Sequence, residues 1–317
     1  MIRTAECITP RHPDKICDRI SDAILDECLR QDPLSRVAME TCGGHGQVFI
    51  TGEMTTNAKV EIAPIVQRIC KQPMKVTTNI VEQSNFIAQG VDTGGAGDQG
   101  IMVGYACNEN EELIPQELYL ARQLCKMIYK RYPYDGKTQV TVEDGKITAV
   151  VASFQNASTE DLHKVVRGWL GTKEEPEIHC NPAGDWSVGG FDADAGVTGR
   201  KLVVDNYGPR IPIGGGAFSG KDASKVDRSG AYMARRIAVD ILEEQQAAEV
   251  YVYLAYAIGH PNPVQATAII DGDELKLDLN GKYDLTPEGI KSHLKLTQPV
   301  YEESAMWGHF GTGFMWG

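Results

Sequence analysis

Apolar residues recur along the chain in two rhythms, one near 3.6 and one near 2, and their alternation predicts the elements. Ile16, Ile20, Ala23, Ile24 and Leu29 follow the first rhythm and predict an amphipathic helix over residues 15–30. Pro13 and Asp14 open it, as suits a first helical turn. Asp18, Asp22 and Asp26, four apart on the same helix, read as its solvated polar face. Residues 37–41 and 48–54 predict two strands joined across Gly43-Gly44-His45-Gly46, with a second helix over 60–71. A glycine-rich loop over 89–100 leads into a strand over 101–106. Leu118, Leu120, Ala121, Leu124, Cys125 and Ile128 then mark a helix over 115–132. Residues 139–143 and 146–154 predict a hairpin across Asp144-Gly145, a strong two-residue turn signal. A helix over 162–170 and a strand over 177–181 follow. The last third predicts a strand over 201–205, a glycine loop, a helix over 226–244 and strands over 250–259 and 266–270.

This order of elements predicts an α+β protein of three similar units, at about 1–90, 91–187 and 188–317, rather than an alternating doubly wound sheet. No low-complexity stretch separates the units, so they are expected to pack together.

Composition narrows the field. A hydrophobic fraction of 42% and a mean hydropathy of -0.27 suit a soluble globular protein with a real core. No run of about 18 apolar residues predicts a membrane span. The opening MIRTAECITPRHPDK lacks the apolar core of a secretory signal. Eight cysteines occur without a CxxC spacing, which argues against zinc and against a disulfide framework and makes a reducing cytoplasmic setting the expectation. A net charge of -12 disfavours nucleic acid and anionic membrane as partners. Cations clustered in so acidic a chain point instead to a small anionic ligand.

Two glycine motifs are decoys. Residues 95–100 (GAGDQG) satisfy GxGxxG, but a dinucleotide fingerprint follows a strand and opens a helix, whereas here a strand follows. Residues 215–222 (GGAFSGKD) begin a P-loop and then place Asp222 where a magnesium-binding hydroxyl belongs. The physics survives the failed pattern: glycines admit phosphate to the backbone, a helix follows, and Lys221 and Lys225 stand at the mouth. The alternative is a glycine-rich surface turn. His12 and Asp14 at a helix start suit phosphate and metal, or simple capping. Asp135-Gly136-Lys137 and Thr198-Gly199-Arg200-Lys201 place cations at loop ends or make surface turns, Asp98 is equally open, and Trp186 reads as packing.

Taken together, residues 12–18 (HPDKICD), 95–106 (GAGDQGIMVGYA), 135–140 (DGKTQV), 198–201 (TGRK), 214–228 (GGGAFSGKDASKVDR) and 308–311 (GHFG) occur in the order found in S-adenosylmethionine synthetases. The chain resembles that family almost end to end. The resemblance implies three similar two-layer domains about a pseudo-threefold axis. It also implies a methionine adenosyltransferase, in which methionine sulfur attacks C5′ of ATP and the expelled triphosphate is hydrolysed to phosphate and diphosphate. Non-catalytic nucleotide-binding or regulatory relatives, and a triphosphatase, are the alternatives.

The resemblance further implies that His12, Lys137, Arg200, Lys201 and Lys221 surround the triphosphate, with Asp98 near the reaction. Asp135, Asp185, Trp186, Asp194 and Ala217 fall at nucleotide-contacting positions. Glu53, Gln83, Asp194 and Lys225 match positions that hold methionine. Asp14 and Asp227 match carboxylates for magnesium, two ions per site, and Glu40 matches the potassium site. Family members are homodimers or dimers of dimers with shared active sites. The sequence departs from the family in a shortened gate loop at 89–95, in Pro10-Arg11 where Glu-Gly is usual, in Asn85-Phe86 after Gln83-Ser84, and in Asp185 where Arg is common. Arg11 is accordingly a candidate phosphate contact.

Overall fold

The computed structural model describes residues 1–83, 94–171, 175–277 and 281–317. Strands among these residues form three four-stranded sheets, each grown from a local run of long helix, hairpin and third strand. In the first, α1 (Pro13–Gln31) packs on the hairpin of β2 (Arg36–Gly44) and β3 (Gln47–Thr55). Helix α2 (Ile62–Cys70) then carries the chain to β4 (Lys75–Val81), parallel to β3. The second repeats this with α3 (Gln116–Arg131), β6 (Gly136–Glu143), β7 (Lys146–Phe154), α4 (Thr159–Leu170) and β8 (Glu177–Cys180), again a parallel third strand. The third sets α6 (Val226–Gln245) on β10 (Glu249–Tyr256), followed by antiparallel β11 (Gln265–Ile270) and β12 (Asp273–Lys276). This is the α+β arrangement of three similar helix-on-sheet units that the element order predicts.

Each sheet is completed by an edge strand from a distant part of the chain. β9 (Gly196–Val197) pairs with β2, β1 (Ile2–Ile8) with β6, and β5 (Gly100–Cys107) with β10. Both hairpin turns have the local chemistry they need. Asp144 and Gly145 have φ of 47° and 81°, and His45 and Gly46 have 50° and 79°, the paired positive values of a tight hairpin.

The core follows the same division. One cluster runs continuously through α1, the β2–β3 hairpin, α2, β5, α6 and β10, while a second lies between β6–β8, α3 and α4. All eight cysteines are free thiols, and only Cys42 is exposed. No helix among the described residues is long and apolar enough to cross a membrane.

Three expectations need correction. The apolar Leu202-Val203-Val204 forms not a strand but the single-turn helix α5 (Leu202–Asp205). So short an apolar run carries no period of its own, and Asn206 Nδ2 donates to the Leu202 carbonyl at 2.8 Å to close the turn. Strands β1 and β4 were not expected at all; their pairing partners, not their own patterns, make them strands. Most consequentially, Asp18, Asp22 and Asp26 are not solvated: they are 0%, 0% and 2% exposed. Helix α1 is buried on both faces because glycine loops from the C-terminal third cover its polar side.

Candidate active site

The site begins at the N-terminus of α1. His12 is the N-cap, and its Nδ1 accepts the Asp14 N–H at 3.2 Å. A ring nitrogen that accepts carries no proton, so the neutral tautomer here has its hydrogen on Nε2. Burial, reinforced by the nearby Lys201 charge, lowers the His12 pKa to about 4. His12 is therefore an uncharged donor at neutral pH.

Asp14, in the first turn of α1, is fully buried. Its Oδ1 accepts the Val197 N–H at 3.0 Å and Arg200 Nε at 2.8 Å, and its Oδ2 is paired with Lys201. Burial alone would raise this carboxyl; Lys201, the Val197 N–H and Arg200 hold it below the ordinary range. The Arg200 side chain is 49% exposed, so its guanidinium keeps an open side.

The second wall is the loop over residues 214–228. Gly220 has φ of +83°, and a Cβ there would lie 2.0 Å from the Met39 carbonyl oxygen, so no side chain fits. Its carbonyl accepts Met39 N–H at 3.0 Å, and Asp222 N–H donates to the Val37 carbonyl at 3.1 Å. Residues 220–222 thus lie against β2 as a short added strand. Asp222, the residue that breaks the P-loop pattern, holds the loop: it accepts Val37 N–H and Ser224 N–H, both at 2.8 Å, and pairs with Lys225 Nζ at 2.5 Å. Lys225 is the N-cap of α6, and Lys221 Nζ lies 2.6 Å from Asp227 Oδ2.

The remaining candidates fall around these walls. Ala38 bridges Lys221 on one side and pairs with Glu53 on the other, so the three lie in a row across the sheet. Glu40 sits two positions along β2 on the same face; desolvation raises its carboxyl, Asp18 adds to this, and Lys221 opposes it. Lys137 stands exposed at the start of β6. Asp135 Oδ2 accepts Gly190 N–H at 2.9 Å, and burial raises its carboxyl. Gly189 passes so close to Trp186 that a Cβ would lie 2.7 Å from the indole. Ala217 meets the other loop, since a Cβ on Gly199 would fall 2.5 Å from its own.

Asp194 is exposed and caps Ala195 N–H at 2.7 Å, while the Ala195 carbonyl accepts Arg200 Nη2 at 2.8 Å. Gln83 is buried with Oε1 unpartnered. Asp98 is exposed on the loop entering β5, where it accepts Gln99 N–H at 2.7 Å. Asp185 turns one carboxylate oxygen to α4: its Oδ1 accepts Thr159 N–H at 2.8 Å and Thr159 Oγ1 at 2.6 Å. Residues 84–93, with Ser84, Asn85-Phe86 and most of the gate loop, lie outside the described residues.

Arg11 is not free to meet phosphate. Its guanidinium donates to the Ile69 and Cys70 carbonyls, at 2.6 and 2.9 Å, and so closes the C-terminus of α2. The decoy at 95–100 behaves as its context requires: it leads into β5, with the Ala96 carbonyl accepting Gly259 N–H and Ala96 N–H donating to the His260 carbonyl. What the sequence reading missed is the acidic row on α1. Asp18 accepts Gly199 N–H and Asp22 accepts Gly220 N–H, each at 2.8 Å, directly behind the cations. The four-residue spacing marks the acids as one helix face but carries no sign that the face is buried.

Arg200 and Lys201 at the α1 N-terminus, the His12 donor with Lys137 near it, and Lys221 on the second wall offer the charges and donors that suit a polyanion. Asp14 and Asp227 add hard oxygen donors. Among the described residues no group of three or more His, Cys, Asp or Glu is arranged to hold a metal.

Comparison with known proteins agrees with this chemistry. Profiles of the S-adenosylmethionine synthetase N-terminal, central and C-terminal domains match residues 1–85, 93–186 and 188–317. The S-adenosylmethionine synthase of Brachyspira hyodysenteriae is 41% identical over 97% of this chain and 92% of its own length. S-adenosylmethionine synthase 2 of Rhodospirillum rubrum is 39% identical over 99% of this chain and 94% of its own. A solved structure, an unusual S-adenosylmethionine synthetase from Campylobacter jejuni, superposes with a TM-score of 0.88 at 31% identity, covering 99% of this chain and 96% of that one.

Proposed function

Because the chain belongs to the S-adenosylmethionine synthetase family, we propose that the cation-lined face around α1 is where it holds ATP and methionine. The protein is a methionine adenosyltransferase, forming S-adenosylmethionine from ATP and L-methionine. The thioether sulfur is already nucleophilic and needs no activating base. The S–C5′ bond forms as the C5′–O5′ bond breaks, and the electron pair departs on the triphosphate oxygen. Water then cleaves the triphosphate to phosphate and diphosphate.

The barrier lies in the charge gathering on the leaving group, so fixed cations and alignment lower it. We assign that task to Lys137, Arg200, Lys201 and Lys221, with His12 Nε2–H as a donor that adds no charge. The observation that carries this reading is the state of these cations: Arg200 and Lys201 are held on Asp14, and Lys221 on Asp227. Asp135, Trp186 and Ala217 are assigned to the nucleoside, with Asp185 contacting it through the backbone while its Oδ1 is held by Thr159. Glu53 and Asp194 suit the methionine ammonium, Lys225 its carboxylate, and Gln83 offers an unpaired amide oxygen. Asp98 is assigned to the rim of the reacting centre.

Magnesium would be held by Asp14 and Asp227, and potassium by Glu40. The fit is chemical: magnesium takes one or two carboxylates and completes its shell with phosphates and water rather than an all-protein cage. When bound, it neutralises phosphate charge. The outer face of β2–β4 carries Glu40 and Glu53 beside the exposed Phe49 and Val81. We propose that a second copy of the chain covers it, giving a homodimer or a dimer of dimers with shared sites.

The test is to supply ATP, methionine, magnesium and potassium and to quantify S-adenosylmethionine and phosphate. Product sulfonium with stoichiometric phosphate is expected. Phosphate alone would reduce the reading to a triphosphatase, and nucleotide binding without either product would reduce it to a binding module. Lys137→Met should lower kcat about 100-fold or more with the melting temperature unchanged; near-normal turnover would remove Lys137 from the site.

A further inference from the structure

Four acids recur every fourth residue on the buried polar side of α1, and each accepts backbone N–H groups of another segment. Asp14 takes Val197 N–H at 3.0 Å, Asp18 takes Gly199 N–H at 2.8 Å, and Asp22 takes Gly220 N–H at 2.8 Å. Asp26 takes Tyr301 N–H at 3.0 Å and Glu302 N–H at 2.9 Å, in the one-turn helix Tyr301–Ser304. We infer that Asp18 and Asp22 are positioning residues for the adenosyl transfer: they fix the two glycines that immediately precede the cations Arg200-Lys201 and Lys221, and α1 sets the spacing between those cations.

The geometry argues for this beyond simple packing. Successive acids on a helix stand about 6 Å apart along its axis, four residues at about 1.5 Å each. The two loops are therefore gripped at fixed, adjacent heights on one rigid rod. Both gripped residues are glycines in the left-handed region, Gly199 at φ +72° and Gly220 at φ +83°, where the backbone direction reverses and a small rotation would swing the next side chain. Ser21 reinforces the first grip, its Oγ lying 2.8 Å from both Thr41 Oγ1 and Thr198 Oγ1. Each carboxylate is itself anchored. Asp18 Oδ2 accepts Lys15 Nζ at 2.9 Å, and Asp22 holds the buried Arg228 guanidinium through bonds of 2.6 and 2.9 Å. Arg228 in turn lies 4.2 Å from the centre of the Tyr301 ring. Neither acid touches the anion-binding face, so their effect is exerted through the loops. A misplacement of about 1 Å in such a site costs on the order of 100-fold in rate, so the grips have catalytic consequences.

Asp26 is the internal control: same helix, same spacing, same burial, but its loop carries none of the site cations. This inference rests on the assignment of Arg200, Lys201 and Lys221 to the triphosphate. The experiment compares Asp18→Ala, Asp22→Ala and Asp26→Ala in the full-length protein. It measures the affinity for inorganic tripolyphosphate with magnesium by calorimetry, and kcat and both KM values at a temperature where each variant is folded. Asp18→Ala and Asp22→Ala should weaken tripolyphosphate at least 10-fold and lower kcat at least 30-fold, with the methionine KM within 2-fold. Asp26→Ala should lower the melting temperature and leave tripolyphosphate affinity and kcat within 3-fold. A purely structural role would lower melting temperature in all three alike and leave the folded kinetics intact, and that result would overturn the proposal. Where Asp18→Ala does not fold, the triple variant Lys15→Met/Asp18→Asn/Asp205→Asn keeps a carbonyl toward Gly199 N–H and removes Lys15 together with both carboxylates it pairs with; kcat within 5-fold of the parent supports the grip, and a larger loss overturns it. Lys201→Met and Lys221→Met separate the two layers of the argument. If they retain tripolyphosphate, the site assignment fails. If they lose it while Asp18→Ala and Asp22→Ala keep it, only the positioning role fails.

Discussion

Lys221 Nζ and Asp227 Oδ2 lie 2.6 Å apart, so a residue assigned to phosphate and a residue assigned to magnesium neutralise each other before either ligand arrives. Asp14 stands in the same relation to Arg200 and Lys201. Polyanion and metal must therefore bind synergistically: each takes one partner of a pair and releases the other for its counterpart. Tripolyphosphate should bind at least 10-fold more weakly after magnesium is removed by chelation, and magnesium should bind more weakly without tripolyphosphate by the same factor, as linkage requires. Calorimetric titrations in both orders measure this; independent affinities would contradict the exchange.

The His12 ring gives a pH signature. Burial and Lys201 set its pKa at about 4 in the fold, against an ordinary 6.5. On acidification the unfolded chain takes up this proton first. The stability tied to a neutral His12 is complete above pH 6.5 and is lost progressively towards pH 4, on the order of 3 kcal/mol at most. Urea midpoints of the parent should fall over that window, and those of His12→Asn, which keeps an N-cap side chain, should fall less.

Restoring the P-loop pattern should harm this protein. Asp222→Ser would leave Lys225 Nζ without its carboxylate and remove an acceptor shared by Val37 and Ser224 N–H. A loss of about 2–4 kcal/mol is expected from a broken, largely buried pair. The methionine KM should rise with it, measurable at a temperature where the variant remains folded.

Arg11→Ala tests the corrected role of that residue. Losing two bonds to the α2 carbonyls should cost about 1–3 kcal/mol, read from denaturant unfolding, while the ATP KM stays within 2-fold. A selective rise in the ATP KM would return Arg11 to the phosphate site.

Local signals made much of the fold legible. The period of Ile16, Ile20 and Ile24 identified α1, and Asp144-Gly145 identified the β6–β7 hairpin. Strand β1 was not legible because its identity depends on β6, paired from Ile2 opposite Glu143 to Ile8 opposite Lys137. Strand β4, KVTTNIV, is mostly exposed and shows little apolar alternation to find. The candidate site was legible as a set of motifs, but not as a structure. Charged residues on an amphipathic helix are ordinarily assigned to solvent, and nothing in the spacing of Asp18 and Asp22 announces that Gly199 and Gly220, nearly two hundred residues later, will cover them. The role of Asp222 was hidden similarly: a one-residue departure from a motif states what a loop is not, and only its contacts with Val37, Ser224 and Lys225 state what it is.

The borrowed edge strands bear on how the chain is made. The first sheet keeps an open edge on β2 until Gly196-Val197 has been synthesised, and β1 waits unpaired until β6 follows more than a hundred residues behind. At about 5–20 residues per second, the first sheet stays incomplete for roughly 8–30 s on the ribosome. During that interval each unsatisfied edge can recruit a neighbouring nascent chain as readily as its own missing strand. The edge strands that join the three sheets of the finished protein are thus also what leaves the nascent chain open to pairing with a second copy.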